Sequence, residues 1–249
     1  MGRLLPLLLL LACVAHPAVA QTLKVGISPD YPPLAFMDQG QMVGIEPDNV
    51  KAVSNMINRQ MKIVSMPFDQ LIPALKQGEI DIIMSGLSIT DERSKEVLFT
   101  NSYMEIGQMA ILHRDKVGSF SQPWAIYQEG VRIGVEPGTT GDTFAREQLG
   151  NAEILYFENP MAAFNGLRNN EIDLYVHDAP TSWQLARAGS ADDLISLYHP
   201  LTDEFLAWAV RPGDEALVQT LNTALRTMKA NGTLRYILNR WIPVTVEVR

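Results

Sequence analysis

The 249-residue chain has one cysteine, Cys13, and it falls inside an N-terminal apolar stretch. Past that stretch there is no thiol for a disulfide, a thiolate metal site or a cysteine nucleophile. Histidine is scarce too: His16, His113, His177 and His199 lack ligand spacing, so no metal centre is expected. Positive charge is in deficit, 20 basic against 28 acidic residues for a net charge of −8. That balance disfavours nucleic acid or an anionic membrane surface as a partner. No apolar run after Val14 approaches membrane length. A Gly-x-Ser-x-Gly elbow is missing, as is a phosphate-loop lysine motif. Neither that hydrolase chemistry nor ATP use by this chain is therefore indicated.

What is present begins with a secretory signature over residues 1–20. Arg3 precedes an apolar stretch from Leu4 to Val14, and Ala18-Val19-Ala20 forms a small-x-small cleavage site before Gln21. Cleavage there removes Arg3 and Cys13 and leaves a net charge of −9. Leu10-Leu11-Ala12-Cys13 read as a lipoprotein box would leave an unusually short leader, so simple cleavage ranks above it. A soluble periplasmic protein is expected. The remaining length suits two lobes of about a hundred residues each.

The chain also nearly repeats itself. Leu75-Lys76-Gln77-Gly78-Glu79-Ile80-Asp81-Ile82-Ile83-Met84 is echoed by Leu167-Arg168-Asn169-Asn170-Glu171-Ile172-Asp173-Leu174-Tyr175-Val176. Upstream, Leu23-Lys24-Val25-Gly26-Ile27 is echoed by Val131-Arg132-Ile133-Gly134-Val135. Each unit reads strand, helix, strand, helix, strand, which predicts a largely parallel sheet covered by helices. The first unit is longer, and a hairpin over Phe36–Val43 accounts for the excess. Alikeness is general among α/β units, but the fixed register of Leu, a basic residue, Glu, Ile and Asp favours duplication. Arg93 lies beyond the first copy and Asp178 ends the second. A cation from one and an anion from the other suit a small zwitterion.

Further elements follow from periodicity. Asp48 is expected to cap a helix through about Arg59, and Met61–Met66 to form a strand. Phe68, Leu71, Ile72 and Leu75 share helical spacing, Asn159-Pro160 reads as a cap with proline at the first helical position, and Gly141–Gln148 and Thr181–Ala188 read as helices. Leu217, Val218, Leu221, Leu225 and Met228 form one stripe ended by Asn231-Gly232. A last helix buries Leu234, Ile237, Leu238 and Trp241 and is stopped by Pro243. With crossovers at 103–107 and 202–206, lobe 1 is residues 21–102 plus 207–249 and lobe 2 is 108–201. Open α/β sheets bind ligands at strand carboxyl ends, and those ends then face one cleft.

Six motifs in order give the chain a family likeness over Leu23–Pro243: Asp30-Tyr31-Pro32-Pro33, Phe68–Leu75, Ser85-Gly86-Leu87-Ser88-Ile89-Thr90-Asp91-Glu92-Arg93, Gly138-Thr139-Thr140-Gly141, His177-Asp178-Ala179-Pro180 and Asn231-Gly232-Thr233. The sequence resembles the family-3 extracellular solute-binding proteins, periplasmic receptors of polar amino-acid ABC transporters. The resemblance implies a two-lobed α/β fold of the periplasmic-binding-protein kind, each lobe a mostly parallel sheet flanked by helices, with the ligand between. It implies Arg93 on the ligand α-carboxylate, where a planar fork of donors suits two oxygens. Ser85, Gly86 and Ser88 would add donors at close approach, Thr140 with Gly138 would meet the carboxylate from the opposite lobe, and Asp178 would hold the α-ammonium. Tyr31 and Phe68 match aromatic pocket walls, although Phe68 shares a helical stripe and reads equally as core. His177 would orient Asp178 or line the pocket.

The sequence departs from the family at Ser28, where many members carry Asp, at Ala35, and at Ile45-Glu46-Pro47-Asp48. Glu136 occupies a pocket position and, with Asp30, favours a basic or neutral polar side chain over an acidic one. The resemblance implies no cofactor, a monomer, and a membrane permease with its ATPase as partners. Two alternatives stand beside it: a cyclohexadienyl dehydratase-like enzyme, for which Glu136 is the candidate general acid, and a periplasmic sensor acting through a separate membrane protein.

Overall fold

A computed structural model describes residues 22–182, 193–197 and 199–242. The expected leader with Cys13, most of the helix expected over Thr181–Ala188, and Pro243 lie outside the described residues. None of the described helices is long and apolar enough to cross a membrane.

The first unit runs β1 (Leu23–Ile27), β2 (Asp30–Tyr31), β3 (Ala35–Asp38), β4 (Gln41–Val43), α1 (Ile45–Met56), β5 (Met61–Ser65), α2 (Leu71–Gln77) and β6 (Ile82–Ser88), then β7 (Leu98–Phe99) and β8 (Met104–Ile106). The second runs β9 (Gln108–His113), β10 (Arg132–Val135), α3 (Thr140–Gln148), β11 (Glu153–Tyr156), α4 (Pro160–Arg168), β12 (Leu174–Asp178) and β13 (Leu194–Ser196). β14 (Glu204–Val210), α5 (Glu215–Ala230) and α6 (Thr233–Trp241) complete the chain.

The repeat is visible in three dimensions. β5-β1-β6 and β11-β10-β12 are parallel trios with the same order. Asp81 accepts the Lys24 N–H at 2.8 Å, and the Asp81 N–H returns to the Lys24 carbonyl at 2.8 Å. Asp173 and Arg132 form the same pair of bonds, at 2.9 and 2.8 Å. The repeated aspartate therefore clasps the start of the first strand to the start of the third. Gly26 and Gly134 repeat as well: a Cβ on either would collide with the Cδ1 of Ile80 or Ile172, the matched isoleucines of the two copies. Each glycine makes room for its own unit's helix-to-strand junction.

Antiparallel strands widen both trios. β14 pairs with β6, β7 and β8, and β9 pairs with β12 and β13. Helices cover both faces of each sheet. Val218, Leu221, Leu225 and Met228 of α5 join Leu234, Ile237 and Leu238 of α6 against Val25, Ile82 and Trp208, while Leu71 and Leu75 of α2 bury Ile80, Ile83 and Leu87 on the other face. The C-terminal helices thus return to the first sheet. The extra length of the first unit is the β3–β4 hairpin, turned by Gln39 and Gly40 at φ 47° and 79°, the two left-handed residues a tight primed turn requires.

α1 differs from its expected bounds. It starts at Ile45 after Gly44 and stops at Met56, because Asn58 turns left-handed at φ 50°. Asp48 lies in its first turn and is not its cap; it accepts the Trp241 indole N–H at 2.8 Å and pairs with Arg240 at 3.1 Å, fastening α6 to α1.

The two crossovers run side by side, with Glu204 opposite Ile106 and Leu206 opposite Met104. A Cβ on Gly107 would strike the Thr202 carbonyl, so glycine there lets the strands pass.

Candidate functional site

The carboxyl ends of both central trios meet at a cavity of about 370 Å³. Ser28 follows β1, Ser88 ends β6, Glu136 follows β10 and Asp178 ends β12; all four line it.

On the first-lobe side, Gly86 adopts φ +64°, and a Cβ there would lie 2.7 Å from the Tyr31 ring. The missing side chain seats Tyr31, which is 9% exposed, and its hydroxyl crosses the cleft to donate to Asp178. The Gly86 N–H is held at 3.0 Å by the fully buried Glu46, which also accepts from Tyr103, Asn49 and Trp208. Burial pushes the Glu46 carboxyl up, and these donors oppose the shift. The Arg93 guanidinium lies over the Phe68 ring, 5.5 Å from its centre. It donates to the Ser88 carbonyl at 3.0 Å and, across the cleft, to the Gly138 carbonyl at 3.1 Å. Among the described residues it forms no ion pair. Burial lowers its pKa, and the fields of Asp178 and Glu204 push back. Phe68 serves both readings: it is half-buried against the α2 cluster and it carries Arg93.

On the second-lobe side, Asp178 accepts from Tyr31 and from the Gln108 amide. Burial raises its pKa; His177 opposes this, and Glu204 adds to it. The His177 ring meets Tyr31 edge-on at 4.9 Å, and its Nε2 lies 3.1 Å from Glu136. Burial alone would lower the His177 pKa, but Glu136 and Asp178 outweigh it and hold it above the ordinary histidine value. Glu136 also accepts from the Tyr175 hydroxyl.

Two residues stand differently from the sequence expectation. Ser85 does not line the cavity; its hydroxyl accepts the Ser28 N–H at 2.9 Å. Gly138 does not line it either, because its N–H is taken by Asp142 at 3.2 Å while its carbonyl faces Arg93. Tyr31, Phe68, Gly86, Ser88, Arg93, Glu136, Thr140, His177 and Asp178 do line it. The hydroxyls of Ser88 and Thr140 nonetheless point their protons at Glu204, at 2.6 and 2.8 Å.

Sequence reasoning passed over Gln108, Glu158 and Asn159 as lining residues. Asn159 was legible only as the cap of α4, a role it also fills through the Ala162 N–H. Ser28, noted only as a departure, and Asp30, expected with Glu136 to disfavour an acidic side chain, both reach the cavity. The wall therefore carries Asp30, Asp69, Glu136, Glu158 and Asp178 against Arg93 and His177. Burial raises the Asp30 pKa, and Glu136 and Glu158 raise it further, so these carboxylates share one field. A guanidinium that meets carbonyls but, among the described residues, no carboxylate, set in an acidic cavity, suits a carboxylate attached to one or two cations.

The bacterial extracellular solute-binding proteins, family 3, match residues 23–244. The arginine-binding protein 1 of an ABC transporter of Escherichia coli is 31% identical over 91% of this chain and 93% of its own length. A probable histidine-binding protein of Neisseria gonorrhoeae is 32% identical over 84% and 78%. Among solved structures, an ancestral amino acid-binding protein, a precursor of cyclohexadienyl dehydratase, superposes with a TM-score of 0.83 at 33% identity, over 89% of this chain and 95% of that one.

Proposed function

The chain belongs to family 3 of the bacterial extracellular solute-binding proteins, and from that premise we propose that it binds a cationic L-amino acid between its lobes. It would work in the periplasm as a monomer, without a cofactor, after loss of residues 1–20. The loaded protein would then dock on an inner-membrane permease driven by a separate ATPase. The observation that carries this reading is Arg93, a cation with no carboxylate partner among the described residues, facing a cavity otherwise rich in carboxylates. Arg93 takes the ligand carboxylate, Asp178 the α-ammonium, and Asp30, Glu136 and Glu158 the side-chain cation. The segments 103–107 and 202–206 serve as the hinge, and ligand contacts on both walls favour the closed form. The relatives named for arginine and histidine support a basic side chain.

A thermal-shift panel tests this. At about a hundred times the dissociation constant a ligand adds about 2.7 kcal/mol of stability. Arginine, lysine or histidine should raise the melting temperature by several degrees, and glutamate should not. A shift with glutamate, or with no amino acid, contradicts the reading.

The dehydratase alternative draws on the ancestral neighbour, but Glu136 faces the Tyr175 hydroxyl and His177 as an acceptor, which leaves it poorly placed to give a proton. Prephenate or arogenate should pass unchanged; turnover abolished by Glu136→Gln would favour the enzyme.

The pKa directions set a pH dependence. His177 is held above its ordinary value, so its proton is lost as pH rises through a point above about 6.5. Below that point the imidazolium offsets Glu136; above it the cavity gains one net negative charge. Arginine affinity measured by titration calorimetry should rise across that window, and His177→Gln should flatten the rise. For the ligand-free protein the sign is opposite: the His177 contribution to stability is full below the unfolded pKa and is lost as pH rises through the folded one. At acid pH, protonation of Asp178, whose pKa burial raises, should weaken binding again.

A further inference from the structure

Glu204 is a carboxylate buried where the two crossovers meet, and it does not line the cavity. Four neutral side chains donate to it. Ser88 Oγ and Thr140 Oγ1 reach Oε2 at 2.6 and 2.8 Å, and Thr202 Oγ1 and Gln108 Nε2 reach Oε1 at 2.8 and 3.0 Å. Among the described residues no Lys, Arg or His forms an ion pair with it. A buried carboxylate is ordinarily matched by a cation, and hydroxyls satisfy its lone pairs without cancelling its charge.

The donors come from opposite sides of the cleft. Ser88 ends β6 of the first sheet, while Thr140 opens α3 and Gln108 opens β9 of the second lobe. A hydroxyl has one proton. Ser88 and Thr140 each give theirs to Glu204, so what they can offer the cavity they line is lone pairs. Gln108 ties the arrangement to Asp178: its amide nitrogen lies within hydrogen-bond distance of both carboxylates and of Thr140 Oγ1, three acceptors for two protons, and with the protons on the carboxylates the Thr140 lone pairs stay open.

We propose that Glu204 is a positioning residue for the ligand ammonium: it draws the protons of Ser88 and Thr140, makes both oxygens acceptors, and adds its charge behind them to that of Asp178. This rests on the reading of the cavity as an amino-acid site. It also revises the roles of Ser88 and Thr140, which face an ammonium and not a carboxylate. Because the two hydroxyls belong to opposing lobes, one carboxylate completes the acceptor set as the lobes come together.

The test is a double-mutant cycle read by calorimetry with arginine. Glutamine at 204 keeps the volume but puts an amide donor where an acceptor stood, which reverses at least one hydroxyl. Glu204→Gln should weaken arginine binding about tenfold to a hundredfold. In a Ser88→Ala, Thr140→Val background the same change should cost several-fold less, what remains being the loss of the Glu204 charge itself. Equal losses in both backgrounds, or no loss in the first, overturn the proposal. If Glu204→Gln fails to fold, the Ser88→Ala, Thr140→Val pair decides alone: near-parental affinity there overturns it, and a loss of tenfold or more supports it. Failure of the parent protein to bind any amino acid would instead count against the site reading itself.

Discussion

Arg93→Ala or Asp178→Asn should each weaken binding of a cationic amino acid by about 2–5 kcal/mol, tens- to thousands-fold in affinity. Removing Arg93 leaves the ligand carboxylate beside Asp178, with His177, already paired with Glu136, the one remaining cation among the described lining residues. Removing the charge of Asp178 leaves the ammonium with oriented hydroxyls but without its nearest anion. The two variants should differ in stability. Arg93 donates to Ser88 and Gly138 and packs on Phe68, so its loss removes contacts as well as charge. Asp178 is held above the ordinary carboxylate range chiefly by burial, so its ionisation at neutral pH costs the ligand-free protein stability. Asp178→Asn removes that cost but sets an amide donor against Tyr31 or Gln108, so the two effects oppose and the variant should melt closer to the parent than Arg93→Ala does in the absence of ligand. Calorimetry giving near-parental affinity in both variants would remove them from the site.

Gly86→Ala should have the next largest effect. The residue sits at φ +64°, where a Cβ costs about 1–2 kcal/mol, and that Cβ would press on the Tyr31 ring at 2.7 Å, an overpacking strain of about 1–3 kcal/mol. The Tyr31 ring must shift to admit it, which disturbs the bond its hydroxyl gives to Asp178. The variant should lose both melting temperature and at least about tenfold in affinity, equivalent to about 1.4 kcal/mol. Gly138→Ala makes the control: it also has positive φ, at 74°, but a Cβ there meets nothing within 4 Å. It should pay the backbone cost with little steric cost. Equal loss of affinity in the two would show that Tyr31 placement is not what Gly86 protects.

The repeat made the paired halves legible before any coordinates, because Asp81 and Asp173, and Gly26 and Gly134, do the same local work in each copy. Turn and cap chemistry located the β3–β4 hairpin and the start of α4. The cap assigned to Asp48 was misplaced because its partners, Arg240 and Trp241, come from the far end of the chain. Ser85 and Gly138 carried the right chemistry for a binding loop, yet local partners Ser28 and Asp142 take their polar groups. Gln108 and Glu204 had no local signature at all. Their importance arises where two strands distant in sequence lie side by side, and neither periodicity nor a motif reports that approach.

The most direct measurement is a crystal structure of the protein grown with arginine. The expected result is one arginine in the cavity between the sheets, its carboxylate paired with Arg93, its ammonium against Asp178, Ser88 and Thr140, and its guanidinium toward Asp30 and Glu158. Density elsewhere on the surface, or an arginine lying in the reverse orientation with its carboxylate away from Arg93, would contradict it.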